Sequence, residues 1–266
     1  MARDHEVTLR ARGEREAVHA LDIGRGMRHR WLTDRMDASP MFPLGSVLFP
    51  HTPLPLRIFE PRYLVMLGEL LDDPDPEFGV VLIQRGHEAG GGDQRLDLGT
   101  MARVIRVVAG EEDIQLVAIG RRRVAVTQWL EDDPYPRAVL EVLPDLVWNE
   151  EYAPLLEQAE SIVRRVLARA GEYAETRWDP DTEVSDEPVE AAWQLAAIAP
   201  LTEWDQYRLL RARSVGELLA TLIDLTLAAE PELTAPPPGD DFDRELEDLL
   251  READGPEPGD PESERD

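Results

Sequence analysis

The hydrophobic period of this chain changes at Asn149, and that change limits the possible folds more than any other feature of the sequence. Before it, apolar residues come in short runs bounded by glycine and proline: Leu54–Phe59, Phe78–Arg85, Leu98–Val108, Ile114–Ile119, Val124–Trp129 and Ala138–Leu143. Short strands with turn residues at regular spacing suggest a small barrel or a rolled sheet. After it, Leu155, Ala159, Ile162, Val163, Val166 and Leu167 recur on one helix face, with Asn149 placed to cap and Gly171 to stop. Strands first and helices second is an α+β order, a β-rich part over 41–145 and a helical bundle over 149–229.

Proline placement adds detail at the start of the β-rich part. Val47–Phe49 and Leu54–Phe59 read as two short strands separated by Pro50 and Pro53. Proline donates nothing to a ladder, so these strands belong at a sheet edge or begin at their prolines. Glu60 and Pro61 then read as a helix start, and Tyr63, Leu64, Leu67, Leu70 and Leu71 give that helix one apolar face. Asp72–Pro76 reads as a solvated turn, since its prolines break calcium-loop spacing. The glycine-rich loop Gly86–Asp93 is followed by a strand, which excludes a phosphate cradle of the strand–loop–helix kind. Arg121, Arg122 and Arg123 are expected at a tight turn between two strands, solvated and charge-paired.

In the second half, Pro188 opens a helix through Ile198, Thr202–Asp205 caps a short one, and Ser214 with Glu217 forms a capping box for a Leu-rich last helix. The ends differ. Residues 1–40 show no sustained period and are expected to be disordered or mis-assigned coding sequence, with Met27, Met36 and Met41 as alternative starts. Residues 231–266 are rich in proline, glycine and acid, a disordered composition. Within them Phe242, Leu246, Leu249 and Leu250 have the spacing of a short amphipathic helix that would order only on a partner.

The composition excludes much chemistry. A net charge of −27 over 266 residues opposes binding to nucleic acid or anionic membrane. The chain has no cysteine, and all 28 of its basic residues are arginine. Without lysine there is neither a Walker A loop nor a Ser–Lys dyad, because arginine does not give up its proton. The five histidines show no zinc-ligand spacing. A Ser46 pair with His51 or His87 lacks an orienting acid and an oxyanion donor. No catalytic residue, metal site or cofactor is expected, and the chain reads as a cytoplasmic protein without a secretory signal or membrane span.

Five motifs in order carry a family resemblance. Pro43, Leu44 and Val47–Pro50 lead to Pro55, Leu56, Ile58–Glu60, Arg62 and Tyr63; Phe78–Ile83, Gly99–Ile105, Gly120–Val124 and Asp133–Ala138 follow. Together they resemble the Lon substrate-binding (Lon N-terminal) domain family. The Ala-rich helix, Pro-Leu-Thr turn and Leu-rich helix of 191–227 are similar to the same family. The resemblance implies a PUA-like β pseudo-barrel followed by an α-helical bundle, and a stand-alone member without the ATPase and peptidase domains.

It also implies a non-catalytic module that binds unfolded or extended protein segments, linked to proteolysis or quality control through a protease or chaperone. Phe49, Leu54, Leu56, Phe59 and Tyr63 are the expected peptide contacts, reached by strand addition. The alternative is an adaptor that engages a folded partner through Phe242, Leu246, Leu249 and Leu250 of its acidic tail.

Overall fold

The structure is a computed structural model, described here for residues 35–85, 94–110 and 113–235. Six strands and one helix come first: β1 (Arg35–Leu44), β2 (Pro53–Ile58), α1 (Pro61–Leu70), β3 (Glu77–Arg85), β4 (Gln94–Ala109), β5 (Ile114–Trp129) and β6 (Arg137–Val142). A short 3-10 turn, Glu150–Tyr152, leads into α2 (Ala153–Ala170), α3 (Pro188–Ile198), α4 (Glu203–Leu210) and α5 (Val215–Leu233). The α+β class and the barrel-then-bundle order stand as the periodicity implies. The sheet starts earlier than expected, since β1 begins at Arg35 and crosses position 41.

The strands run in the order β2-β5-β4-β3-β1-β6, and a further β5–β6 pairing closes them into a pseudo-barrel. One long strand makes closure possible. The first half of β5 pairs with β2, from Pro53 opposite Ile119 to Ile58 opposite Ile114. Its second half pairs with β6, from Val124 opposite Val142 to Trp129 opposite Ala138. Register shifts along the β4–β5 ladder, between Thr100 and Ala102 and between Val104 and Arg106, mark where these long strands bend.

Two local expectations fail, for physical reasons. The turn expected at Gly120–Arg123 is absent, and β5 runs straight through it. Gly120 serves close approach: a Cβ there would collide with the Phe49 carbonyl oxygen. The neighbouring backbone is ladder-like, with Gly120 N–H donating to Thr52 O at 2.9 Å and His51 N–H donating to Gly120 O at 2.8 Å. A bulge puts one extra residue in β5 between Gly120, opposite Ala102, and Arg123, opposite Thr100; it breaks the alternation and splits the arginine triplet, leaving Arg121 exposed, Arg122 half-buried and Arg123 buried.

The strand expected at Val47–Phe49 is instead an irregular plug between β1 and β2. Its carbonyls are satisfied by side chains, Thr100 Oγ1 on Leu48 O at 2.6 Å and Thr52 Oγ1 on Phe49 O at 2.7 Å. Leu48 enters the barrel core, whereas Phe49 enters the bundle core and stacks on Trp193 at 5.7 Å. One tripeptide thus plugs both subdomains.

The barrel is filled from the α1 side by Phe42, Leu54, Ile58, Tyr63, Met66 and Phe78. The bundle core centres on α3, whose Ala191, Ala192, Trp193, Leu195, Ala196 and Ile198 are all buried. Such all-round burial explains why α3 is rich in alanine, which lets neighbouring helices approach closely. The helix ends follow the sequence signals. Asn149 Oδ1 accepts from Glu151 N–H at 3.1 Å, Thr202 Oγ1 from Asp205 N–H at 3.2 Å, and Ser214 Oγ from Glu217 N–H at 3.1 Å. The return bond of the last cap is displaced by one residue, since Glu217 accepts from Arg213 N–H at 2.8 Å.

Candidate functional site

Among the described strands, β2 has one hydrogen-bonded neighbour, β5, and so ends the sheet order. Pro53 and Pro55 lie within it and donate no ladder bond, which fits an edge position. Beside it, β1 leaves β6 near Pro40 and continues through Met41–Leu44 paired with β3 alone. The space between β2 and this stretch of β1 is a cavity of about 240 Å³. Phe42 and Leu44 line it from β1, Leu56 from β2, and Phe59 and Tyr63 from the start of α1.

The walls are firm. Tyr63 is buried and stacks on Phe42 at 4.0 Å, and the Arg62 guanidinium lies 4.5 Å from the Tyr63 ring centre. Arg62 Nε in turn donates to Glu60 Oε2 at 3.0 Å, so the pair at the helix start fixes the mouth of the cavity. Phe59 is different: it is 62% exposed, and Leu64, Val65 and Leu71 of the α1 segment are exposed as well. An exposed aromatic ring beside an open strand edge is the unusual feature of this surface.

Of the residues expected as peptide contacts, Leu56, Phe59 and Tyr63 come together at this cavity. Leu54 is buried in the barrel core, and Phe49 faces the bundle. Leu54 and Leu56 share one face of β2, so alternation does not separate them, and nothing local distinguishes Phe49 from Phe59. Phe42 and Leu44 were missed, because in the sequence they read only as the approach to Val47–Phe49. The tail set Phe242, Leu246, Leu249 and Leu250 lies outside the described residues.

Two further cavities border the bundle. One, of about 440 Å³, sits where barrel and bundle meet and is lined by Pro50, His51, Arg123, Asp145, Trp148 and Trp193, among others. His51 there has a left-handed backbone, with φ of 60°, and its Nδ1 lies 3.3 Å from Glu190 Oε1. Gln194 Nε2 donates to His51 O at 3.1 Å and fixes the turn on α3. The other, of about 420 Å³, lies between the C-terminal ends of α2, α3 and α5 and the start of α4. Ser46 lines that second groove, while His51 lines the junction cavity, so the fold sets the two on different cavities. His87 lies outside the described residues.

Arg123 is the polar strut of the junction. Its guanidinium donates to the carbonyls of Leu210, at 3.0 Å, and Ala212 beyond α4, and to Pro144 O, at 3.0 Å, in the linker. It also stands 5.3 Å from the Trp193 ring centre. Burial pushes this guanidinium below its ordinary value, opposed by the charges of Asp145 and Glu217. Three carbonyl acceptors compensate the lost hydration. A second link runs from α4 to β4, where Tyr207 Oη donates to Asp97 Oδ1 at 3.1 Å. Burial first, and the bond to Asp97 second, push the Tyr207 phenol up to about 12.

Among the described residues, no group of three or more His, Cys, Asp or Glu side chains is placed to hold a metal ion, and no helix is long and apolar enough to cross a membrane.

Comparison with known proteins agrees with this architecture. Residues 38–227 match the family model described as the ATP-dependent protease La (LON) substrate-binding domain. The Lon protease of Anaeromyxobacter dehalogenans is 30% identical over 133 residues, 48% of this chain and 16% of that protein. Lon protease 2 of Myxococcus xanthus is 31% identical over 114 residues, 42% of this chain and 14% of that protein. The match thus spans about a sixth or less of the length of these two relatives. Among solved structures, a Lon N-terminal domain protein from Xanthomonas campestris is 24% identical, with a TM-score of 0.50, covering 71% of this chain and 98% of that one. The N-terminal domain of Mycobacterium avium complex Lon protease is 16% identical, with a TM-score of 0.53, covering 72% of this chain and 98% of that one. The two structures bear on the fold alone, while the family model spans most of the chain: this protein belongs to the Lon substrate-binding domain family.

Proposed function

We propose that this chain is a binding module that captures extended or unfolded protein segments along the free edge of β2, for delivery to a protease or chaperone. The observation that carries this reading is the open edge of β2 beside a 240 Å³ apolar cavity, with Phe59 62% exposed at its mouth. An incoming strand would donate to the outward carbonyls of Pro53, Pro55 and Arg57, with Arg57 N–H the donor in return, and alternate side chains would point toward Leu44, Leu56 and Tyr63. Main-chain bonding is blind to sequence, which suits a module that accepts many clients. The cavity would supply selectivity for apolar side chains. Family membership supports the same role, since the family is named for substrate binding.

Fluorescence anisotropy of a labelled, permanently unfolded protein titrated with the full chain tests this. Saturable binding that changes little with salt is expected, and Phe59→Asp should weaken it at least about tenfold by placing a charge at an apolar contact. No binding, or equal binding by parent and variant, would overturn the assignment to this edge.

A further inference from the structure

The groove at the far end of the bundle has a covering segment within reach. Its walls are mostly apolar: Leu167 and Ala170 of α2, Trp178 of the linker, Ile198 of α3, Leu201, and Leu233 at the end of α5. At about 420 Å³ it is larger than the β2 cavity and falls in the range of pockets that take several apolar side chains.

Leu233 is both a wall of this groove and the last residue of α5, so the chain leaves the bundle at the groove itself. The described residues end at Ala235, and 31 more follow. Pro236, Pro237, Pro238 and Gly239 come first, a stretch that ends the helix and permits a reversal. Phe242, Leu246, Leu249 and Leu250 come next, on one side of a helical projection whose other sides carry Asp, Glu and Arg. Phe242 lies nine positions beyond Leu233, an extended reach of about 30 Å.

We propose that the segment Phe242–Leu250 of this same chain folds back as an amphipathic helix into the α2–α3–α5 groove. Such a short helix is marginal alone in water, and the apolar walls supply what it lacks. A short tether presents it at an effective concentration on the order of millimolar, so weak intrinsic affinity suffices for occupancy. The segment is thereby a built-in occupant, displaced only by a partner that binds the groove or the seam more tightly. This inference concerns the bundle groove and stands or falls apart from client capture at β2.

The absence of cysteine gives a clean background for labelling. Asp248→Cys in the full chain, on the side of the projected helix away from the seam, carries a paramagnetic label. Expected is strong loss of backbone amide signal intensity for residues 174–178 and 197–206 around the groove, unchanged on tenfold dilution. Adding Leu246→Asp and Leu249→Asp to the same labelled chain should restore those signals. The proposal is overturned by no loss at the groove, by a loss that the aspartates do not relieve, or by a loss that vanishes on dilution, which would mark a second copy as the occupant. Loss centred on β2 and Phe59 would overturn it too, by placing the tail at the other groove.

Discussion

Arg123 shows how much one residue's environment decides. In the sequence it is one of three consecutive arginines and reads as part of a solvated turn. In the fold it is the buried one, because a bulge in β5 just after Gly120 breaks the strand alternation and turns Arg123 inward beside Val124. Arg123→Ala would strand the carbonyls of Leu210, Ala212 and Pro144, and a loss of stability on the order of 3 kcal/mol is expected in urea unfolding. Arg123→Lys should recover only part of that, since an ammonium lacks the planar fork that reaches separate acceptors. Tyr207 makes a prediction in pH. Its phenol is raised in the folded state, from an ordinary value near 10 to about 12. The stabilisation is therefore fully present below pH 10 and is lost as pH climbs from about 10 to 12, where the unfolded chain ionises first. Tyr207→Phe should flatten the loss of stability over that window in denaturant melts. An unchanged slope would show that the Asp97 bond and the burial do not hold the phenol neutral. Tyr135, also raised by burial and by its bond to Glu69, should account for part of the slope that remains.

At the scale of elements, the signals that survived in the sequence are those that act locally. Proline fixes β2 as an edge strand and starts α1 and α3; Asn149, Thr202 and Ser214 cap the helices that follow them. Closure of the barrel was implied by the family resemblance and not by periodicity, because the device that closes it is long-range: β5 pairs with β2 along one half and β6 along the other. Its long apolar and arginine pattern looks like two strands and a turn until the Phe49 carbonyl over Gly120 is in view. The site was legible in part for the same reason. Leu56, Phe59 and Tyr63 share one short segment, whereas Phe42 and Leu44 reach the cavity only through the placement of β1 beside β2. Phe59→Asp belongs at this scale. Its side chain is largely exposed, so stability should move by no more than about 0.5 kcal/mol while binding of unfolded protein falls. A matching loss of stability would mean that the ring serves the fold and not a client.

Taken whole, barrel and bundle are packed together across their junction. Phe49, Leu82 and Leu98 come from the β-rich part, and Leu146 from the linker after β6, yet all pack into the cluster built by α2–α5. Arg123 and the Tyr207–Asp97 bond cross the same junction. The two parts should therefore unfold together, with a single calorimetric transition whose van't Hoff and calorimetric enthalpies agree. Two resolved transitions would show independent subdomains. With the junction packed in this way, the proposed capture at the β2 edge requires no internal closure. The most direct test of client capture is amide hydrogen exchange of the full chain, with and without a saturating, permanently unfolded protein. Slowed exchange at Arg57 and its neighbours Leu54, Leu56 and Ile58, and at Phe42 and Leu44 flanking the cavity, with α2–α5 unchanged, is the expected result. Protection confined to the helices, or none anywhere, would contradict capture at the β2 edge.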